Sequence, residues 1–183
     1  MTYNLKKRID SLGKRMSKEE SVIFSCEIVF DTQKAAAAID QLRHGNPKEI
    51  FNVLWALRNL QDTQLQAFPD LTEIILGLFQ KFPKDEAILR DGVGLLQVVD
   101  ISEDFQGEVF QVCFGFLQDS SKSIAVKVFS MTVCYNLAKN HLELLKELEM
   151  QIKDILWFQG DLSPAIFSRG NAILQKINRR LHK

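Results

Sequence analysis

The chain has 183 residues, of which 46% are hydrophobic and 25% charged, and its 23 Lys and Arg residues balance its 23 Asp and Glu residues. These values are typical of a folded globular domain, and they exclude a fibrous or wholly disordered chain. A chain of this length buries a hydrophobic core that needs no metal or disulfide, so the sequence predicts a domain without a cofactor.

The charge is unevenly distributed along this neutral chain. Residues 1–18 carry six Lys or Arg residues against one Asp, and residues 164–183 carry five against no acid. Basic segments bind phosphate or membrane surfaces in some proteins, but basic terminal helices are also common for solubility alone, which is the simpler interpretation. The remaining centre is acidic, which disfavours nucleic-acid binding by the whole surface.

Three cysteines, Cys26, Cys113 and Cys134, lie in apolar runs and form no CxxC pair. Cysteines in such runs usually behave as small hydrophobic residues, which fits a reducing compartment. The basic N-terminal residues are followed by no apolar segment of the signal-peptide type, and no apolar run is long enough to span a bilayer. The sequence therefore predicts a cytoplasmic protein without a membrane span.

The first two predicted elements are helices. Four apolar residues at helical intervals indicate an amphipathic first helix: Leu5, Ile9, Leu12 and Met16. Residues 17–20 read Ser-Lys-Glu-Glu, which is typical of a capping box at the start of a second helix. The β-branched residues of Ser21–Phe30 are compatible with a strand, but the capping box before them and the four alanines after them favour a helix.

Residues 44–47, His-Gly-Asn-Pro, predict a helix break. Gly45 suits a left-handed C-terminal residue, Asn46 an N-cap, and Pro47 the first position of the next helix. Three further prolines are placed at predicted helix starts and two serines at predicted N-caps: Pro69, Pro83, Pro164, Ser102 and Ser163.

An internal repeat with a period of about 40 residues is the pattern that weighs most in this sequence. Pro47-Lys-Glu49 recurs as Pro83-Lys-Asp85, at a shift of 36 residues. Small residues that would let adjacent helices approach closely recur in the inner helical segments, at Ala56, Gly92, Ser130 and Ala172. Second helical patterns lie between these segments, at 71–82, 105–117 and 142–158. Each unit is therefore predicted to be a pair of helices.

The helical-hairpin unit and two short elements, Ala125-Val-Lys127 and Leu89-Arg-Asp-Gly92, resemble the HEAT and armadillo repeat class, whose second helices carry a Val/Leu-Arg-x-Ala-like signature. The resemblance covers residues 46–183 and extends more weakly over 1–45. It implies an all-α, α-α superhelix, a HEAT/ARM-like solenoid of about nine to ten helices in about four to five hairpins.

This resemblance also implies the domain organisation. Residues 1–183 form a single helical-repeat domain, with capping helices in 1–45, three hairpin repeats in 46–160 and a capping helix in 161–183. Ile124–Ala138, the most apolar segment, is then an interior helix that its neighbours cover on more than one face.

Trp55 and Arg58 are the first candidate binding residues. They lie three residues apart on one helical face, and tryptophan and arginine are common anchors of interfaces. The simpler alternative places Trp55 in the core and Arg58 in solvent.

A second candidate set, Arg90, Lys127 and Arg169, occupies corresponding positions in successive inner segments. These residues form either a binding surface or a polar ladder between repeats that bonds to carboxylates such as Asp85 or Asp91. The ladder is the simpler interpretation.

No pattern identifies a catalytic, cofactor or metal site. Gly92-Val-Gly94 belongs to no phosphate-binding loop. The three histidines are isolated and lack the spacing of metal ligands: His44, His141 and His182. The carboxylates Asp85, Glu86 and Asp91 are explained as solvated or helix N-terminal charges.

The sequence-based hypothesis is a non-enzymatic scaffold that binds a protein or peptide partner on its inner helices. Nucleic-acid binding is the alternative, because some DNA-alkylation-repair glycosylases are built from HEAT-like repeats. The acidic centre disfavours that alternative, and no catalytic residues of those enzymes carry over to this chain. An all-helical lyase is a third hypothesis, but such enzymes are larger and use a flexible serine-rich loop that this chain lacks.

Overall fold

The computed structural model of the protein describes residues 16–160 and 163–181. All regular elements in these ranges are helices, ten in number, as predicted. Their bounds are α1 Lys18–Phe30, α2 Thr32–His44, α3 Pro47–Leu57, α4 Asp62–Leu65, α5 Leu71–Lys81, α6 Glu86–Leu96, α7 Glu103–Gln118, α8 Ile124–Ala138, α9 Leu142–Gln159 and α10 Pro164–Leu181. The amphipathic helix predicted from Leu5 to Met16 lies outside the described residues, apart from Met16. A membrane-crossing helix would have to be longer and more apolar than any in the described ranges.

Two capping boxes are present, the predicted one at Ser17 and a second one at the predicted N-cap Asn46. Ser17 accepts a hydrogen bond from the backbone N–H of Glu20, and the Glu20 carboxylate accepts one from Ser17 N. Asn46 and Glu49 make the same reciprocal pair at the start of α3. These bonds satisfy amides that have no partner within the helix, so α1 and α3 begin where the sequence places them. Ser21–Phe30 is accordingly helical, not extended.

Gly45 separates α2 from α3, but the left-handed conformation predicted for it is wrong. Its backbone is extended, with φ −69° and ψ 168°. A side-chain carbon at this position would lie 2.5 Å from the Gln41 carbonyl oxygen, which accepts a hydrogen bond from Gly45 N at 2.8 Å. Glycine is therefore favoured here by the close approach of the chain to the end of α2.

Two of the three later prolines do not start helices. Pro164 is the first residue of α10, as predicted. Helix α5 begins at Leu71 and α6 at Glu86, so Pro69 and Pro83 lie in the loops just before these helices. Proline disfavours helical geometry in the residue that precedes it, so proline is also compatible with the loop just before a helix. The short helix α4 has no counterpart in the sequence-based prediction.

The chain divides into two compact units, Met1–Leu95 and Leu96–Lys183. In the first unit α1, α2 and α3 pack on one another, and α2 also contacts α5. Helix α6 approaches α5 at Gly92, where a side-chain carbon would lie 2.5 Å from the Phe79 ring. Aliphatic residues such as Ile50 fill the core of this unit.

Helix α8 is the interior helix of the second unit. It packs on α7, α9 and α10, and its buried residues, including Val126, Met131 and Val133, lie on more than one face. The prediction of an interior helix at Ile124–Ala138 is thereby confirmed. Helix α10 also packs on α9, and a side-chain carbon at Gly170 would lie 3.0 Å from Leu156 Cδ2.

The four recurring small residues do not share one role. Ala56, Gly92 and Ser130 are buried, as close helix packing requires. Ala172 is exposed, so the prediction that it lets helices approach closely is wrong. The repeat pattern therefore marks a buried position at three of the four sites only.

Candidate functional site

A cleft with a volume of about 480 Å³ opens beside helices α3 and α6 of the first unit. Three of the five predicted binding residues, Trp55, Arg58 and Arg90, line it. The other lining residues are Met16, Phe51, Asn59 and Asp91. We refer to this site as the Trp55 cleft.

Asp91 connects the two arginines of the Trp55 cleft. It is 1% exposed, and its Oδ1 accepts hydrogen bonds from Arg58 Nη1 and from Arg90 Nε, each at 2.9 Å. Arg90 Nη2 donates to Oδ2, also at 2.9 Å. Burial of an unpaired carboxylate costs free energy, so the hydrogen bonds to Asp91 are favoured in the folded protein. These bonds fix both guanidinium groups. The three side chains carry a net charge of about +1 when all are ionised.

The structure corrects the interpretation of Asp91 as a solvated or helix N-terminal charge. That interpretation holds for Asp85, whose side chain accepts hydrogen bonds from the backbone of Ala87 and Ile88 at the start of α6. Asp91 instead lies buried in the body of α6. Its hydrogen bond to Arg90 raises the pKa of that guanidinium above the ordinary value, so Arg90 stays charged.

Aromatic rings form the apolar wall of the Trp55 cleft. The Phe51 and Trp55 ring centroids are 5.8 Å apart, and the Arg90 guanidinium lies 5.9 Å from the Phe51 centroid, within the range of a cation–π contact. The side chains of Arg58 and Arg90 are 29% and 36% exposed. Trp55 is half-buried. The alternative of a core Trp55 therefore does not hold, whereas Arg58 is exposed, as that alternative expects, and at the same time donates to Asp91.

Local helix geometry explains how the Trp55 cleft is assembled. Phe51 and Trp55 are four residues apart on α3, and Arg58 follows at its C-cap, so all three point to one side of the helix. Gly94 of α6 makes room for Arg58, since a side-chain carbon there would lie 2.8 Å from the guanidinium carbon. Sequence reasoning missed Phe51, although its helical spacing from Trp55 was a usable signal.

Sequence reasoning also missed Asn59 and Met16 as lining residues of the Trp55 cleft. Local sequence patterns indicate these two residues less clearly than Phe51. Asn59 Nδ2 donates to Ser21 Oγ at 3.1 Å, which joins the end of α3 to α1. Met16 N donates to the buried Asn52 Oδ1 at 3.3 Å. Both contacts depend on residues distant in the chain, so spacing within one helix does not reveal them.

The two remaining predicted binding residues lie in the second unit. Lys127 is 2% exposed, and its Nζ lies 3.4 Å from Gln159 Oε1. Burial lowers the pKa of Lys127, and the charge of Asp119 opposes that shift. Arg169 Nη1 donates to Thr132 Oγ1 at 2.9 Å. Within the described ranges neither cation forms an ion pair, so only Arg90 has the carboxylate partner expected of a polar ladder.

The cysteines differ in their surroundings. Cys113 and Cys134 are fully buried, as expected of small hydrophobic residues. Burial raises the pKa of the Cys113 thiol to about 12 and also raises that of Cys134. Cys26 is exposed, contrary to the prediction from its apolar neighbours. In the part of the chain that the structure describes, no cluster of three or more His, Cys, Asp and Glu residues could hold a metal ion.

A second cleft of the first unit has a different character. It has a volume of about 540 Å³ and adjoins α1, α2 and α4. None of its lining residues is charged: Ile28, Val29, Thr32, Ala35, Ala36, Ile39, Thr63, Gln64, Ala67 and Phe68. The Trp55 cleft, in contrast, is lined by charged groups that could orient a partner.

Comparison with protein families identifies the family of this chain. Its sequence matches the HEAT repeat domain over residues 9–177, which is nearly its whole length. The chain belongs to the HEAT repeat domain family. This membership and the all-helical structure confirm the predicted HEAT-like α-α fold, and the match includes the N-terminal region where the sequence resemblance was weaker. Comparison of this HEAT-repeat chain with curated proteins and with solved structures gave no match.

Proposed function

We propose that this HEAT-repeat protein is a non-enzymatic scaffold that binds a protein or peptide partner in the Trp55 cleft. Stacked helical repeats present extended surfaces that suit protein recognition. The observation that carries the proposal is the convergence of Trp55, Arg58 and Arg90 around the buried Asp91. Tryptophan and arginine dominate the binding energy of protein interfaces, particularly where they line pockets.

The chemistry of the cleft favours a partner segment with a carboxylate beside an apolar side chain. Arg90 uses Nε and Nη2 for Asp91, which, as far as the described residues go, leaves the Nη1 edge of its planar fork for a second acceptor. A carboxylate matches that geometry, and the positive group attracts it. The Phe51 and Trp55 rings would then cover the neighbouring apolar side chain. Because Asp91 already holds the arginines, little side-chain entropy would be lost on binding.

The test uses the full chain with the substitution Trp157→Phe. This change leaves Trp55 as the sole tryptophan, and Trp157 is 85% exposed, so its replacement should not disturb packing. A random peptide display library is selected against this chain, and the selected peptides are synthesised. Their dissociation constants are measured from Trp55 emission, or from the anisotropy of a labelled peptide when Trp55 is replaced.

We expect the selected peptides to be enriched in Asp or Glu next to an apolar residue. Arg90→Gln should weaken their binding by about tenfold to 100-fold, because a charge-assisted hydrogen bond is lost. Trp55→Ala should also weaken binding without touching the arginine–aspartate group. Lys48→Gln is the matched control, since Lys48 is an exposed cation on the same helix, outside the cleft.

Two outcomes would contradict the proposal. The first is a selected peptide set with no enrichment in acidic residues. The second is equal affinity of the wild-type, Arg90→Gln and Trp55→Ala chains for the selected peptides, with circular dichroism confirming that the variants are folded.

A further inference from the structure

Helix α10 carries a row of basic residues beside α8. Arg169, Lys176 and Arg180 are spaced seven and four residues apart, so they share one stripe of the helix, with Arg179 next to it. Lys176, Arg179 and Arg180 line an open cleft of about 530 Å³ together with Tyr135 of α8. We refer to the four cations as the basic face.

Two members of the basic face are held in place by contacts with α8. Arg169 donates to the Thr132 hydroxyl, and the Lys176 ammonium lies 5.5 Å from the centroid of the Tyr135 ring. Both contacts leave the positive charge without a compensating negative charge from a described residue. The sequences of α8 and α10 contain no Asp or Glu.

The contacts among the described residues hold the basic face in place but do not neutralise its charge. Within the described residues none of the four cations takes part in an ion pair. Like charges at helical spacing repel one another and destabilise the helix slightly. The last turn of a helix does favour cations, but Arg169 and Lys176 precede that turn. An external polyanion would neutralise the positive charge of the basic face.

We propose that the basic face binds single-stranded nucleic acid, with phosphates on the cations and a base stacked against Tyr135, where the base takes the place of the Lys176 ammonium. The stripe from Arg169 to Arg180 extends over about 17 Å of helix, long enough for several phosphates. Single-strand binding sites combine such a positive track with an aromatic platform. An acidic peptide would use the cations but would not require Tyr135. The bases of a duplex are already stacked on one another, so a half-buried ring reaches only an unpaired base.

This site is independent of the proposed function, since it shares no residue with the Trp55 cleft. The test measures the fluorescence anisotropy of a labelled 15-nucleotide oligothymidine with the full chain in 50–200 mM salt. Four phosphate contacts predict a slope of about −3 for the logarithm of the binding constant against that of the salt concentration. Affinity should therefore fall roughly 50-fold over this range.

Variants separate the roles of charge and ring. Arg179→Gln with Arg180→Gln should weaken binding and reduce the slope to about −1.4, because two phosphate contacts are lost. Tyr135→Ala should weaken binding about fivefold or more, whereas Tyr135→Phe should retain the affinity. The control is the double variant Lys84→Gln with Lys146→Gln, which removes the same number of positive charges as the double arginine variant. Both lysines are exposed and lie outside the basic face, so this control should bind like wild type.

Comparison of ligands with the wild-type chain decides the proposal even if a variant fails to fold. An abasic strand with the same number of phosphates should bind more weakly than oligothymidine, and so should a matching duplex. The proposal is overturned if either binds equally well, if a polyglutamate peptide of equal charge displaces oligothymidine with equal efficiency, or if oligothymidine fails to bind in 50 mM salt.

Discussion

Two buried charges have opposite consequences for this molecule. Asp91 exchanges its hydration for three hydrogen bonds from two arginines, so its burial fixes the groups that line the Trp55 cleft. Lys127 is almost as deeply buried, yet among the described residues its ammonium has only the Gln159 amide oxygen at 3.4 Å and the charge of Asp119 to offset desolvation. We therefore expect Lys127 to reduce the stability of the second unit.

Replacing Lys127 by methionine should stabilise the protein. Methionine preserves the length of the side chain and removes the charge, so Lys127→Met should raise the free energy of unfolding at pH 7 by about 1 kcal/mol. Urea denaturation measures this difference. Lys146→Met, at an exposed position on α9, is the matched control and should change the free energy of unfolding by less than about 0.5 kcal/mol.

The pH dependence of that difference tests its cause. Because the pKa of Lys127 is lowered in the folded state, the folded protein releases this proton at a lower pH than the unfolded chain. The cost of Lys127 is therefore complete below the folded-state pKa and decreases as the pH rises through that pKa. The advantage of Lys127→Met should be smaller at pH 10 than at pH 7. An equal or larger advantage at pH 10 would mean that packing, not charge burial, determines the effect.

Individual helices are the scale at which sequence reasoning succeeds best. Capping boxes and helical spacing are local, so Ser17 and Asn46 predict helix starts from residues within one turn. Asp91 could not be interpreted in this way, because its partner Arg58 lies 33 residues away. The partner of a buried polar side chain depends on how one helix packs on another, and the spacing within a single helix does not show it.

The two glycines Gly77 and Gly92 should respond oppositely to substitution by alanine. At Gly77 of α5 nothing lies within 4 Å of an added side-chain carbon, so Gly77→Ala should stabilise the helix by about 0.5–1 kcal/mol. At Gly92 of α6 the added carbon would lie 2.5 Å from the Phe79 ring, so Gly92→Ala should destabilise the protein by about 1–3 kcal/mol. Thermal unfolding of both variants measures the contrast.

A compensating change identifies the contact between α5 and α6 as the cause. Combining Gly92→Ala with Phe79→Leu removes the ring that the new carbon would meet. The double variant should be more stable than the sum of the two single changes implies, by about 0.5 kcal/mol or more. Strict additivity would show that the Phe79 ring does not constrain residue 92.

At the scale of the whole molecule, the repeat period and the composition predicted more of the fold than individual motifs did. The recurrence of about 40 residues gave the HEAT-like fold, because each helical pair must bury its apolar face against the next. The same reasoning placed Arg90, Lys127 and Arg169 in equivalent positions, but their surroundings differ: a cleft, a buried contact and a basic face. Equivalent positions in a repeat share a backbone environment, whereas the facing side chains determine what each one does.

The stability of the whole chain should be independent of metal ions and of reductant. Buried apolar side chains supply the core of both units, and all three cysteines are free thiols. We therefore expect EDTA and dithiothreitol to change the melting temperature by less than about 1 °C. For a chain of this size, a change of about 1 kcal/mol in the free energy of unfolding shifts the melting temperature by about 2–4 °C. The Lys127→Met variant, measured in the same experiment, therefore shows whether a shift of that size is detected. A decrease of several degrees with EDTA would reveal a metal that binds the folded state, and a decrease with dithiothreitol would reveal a disulfide.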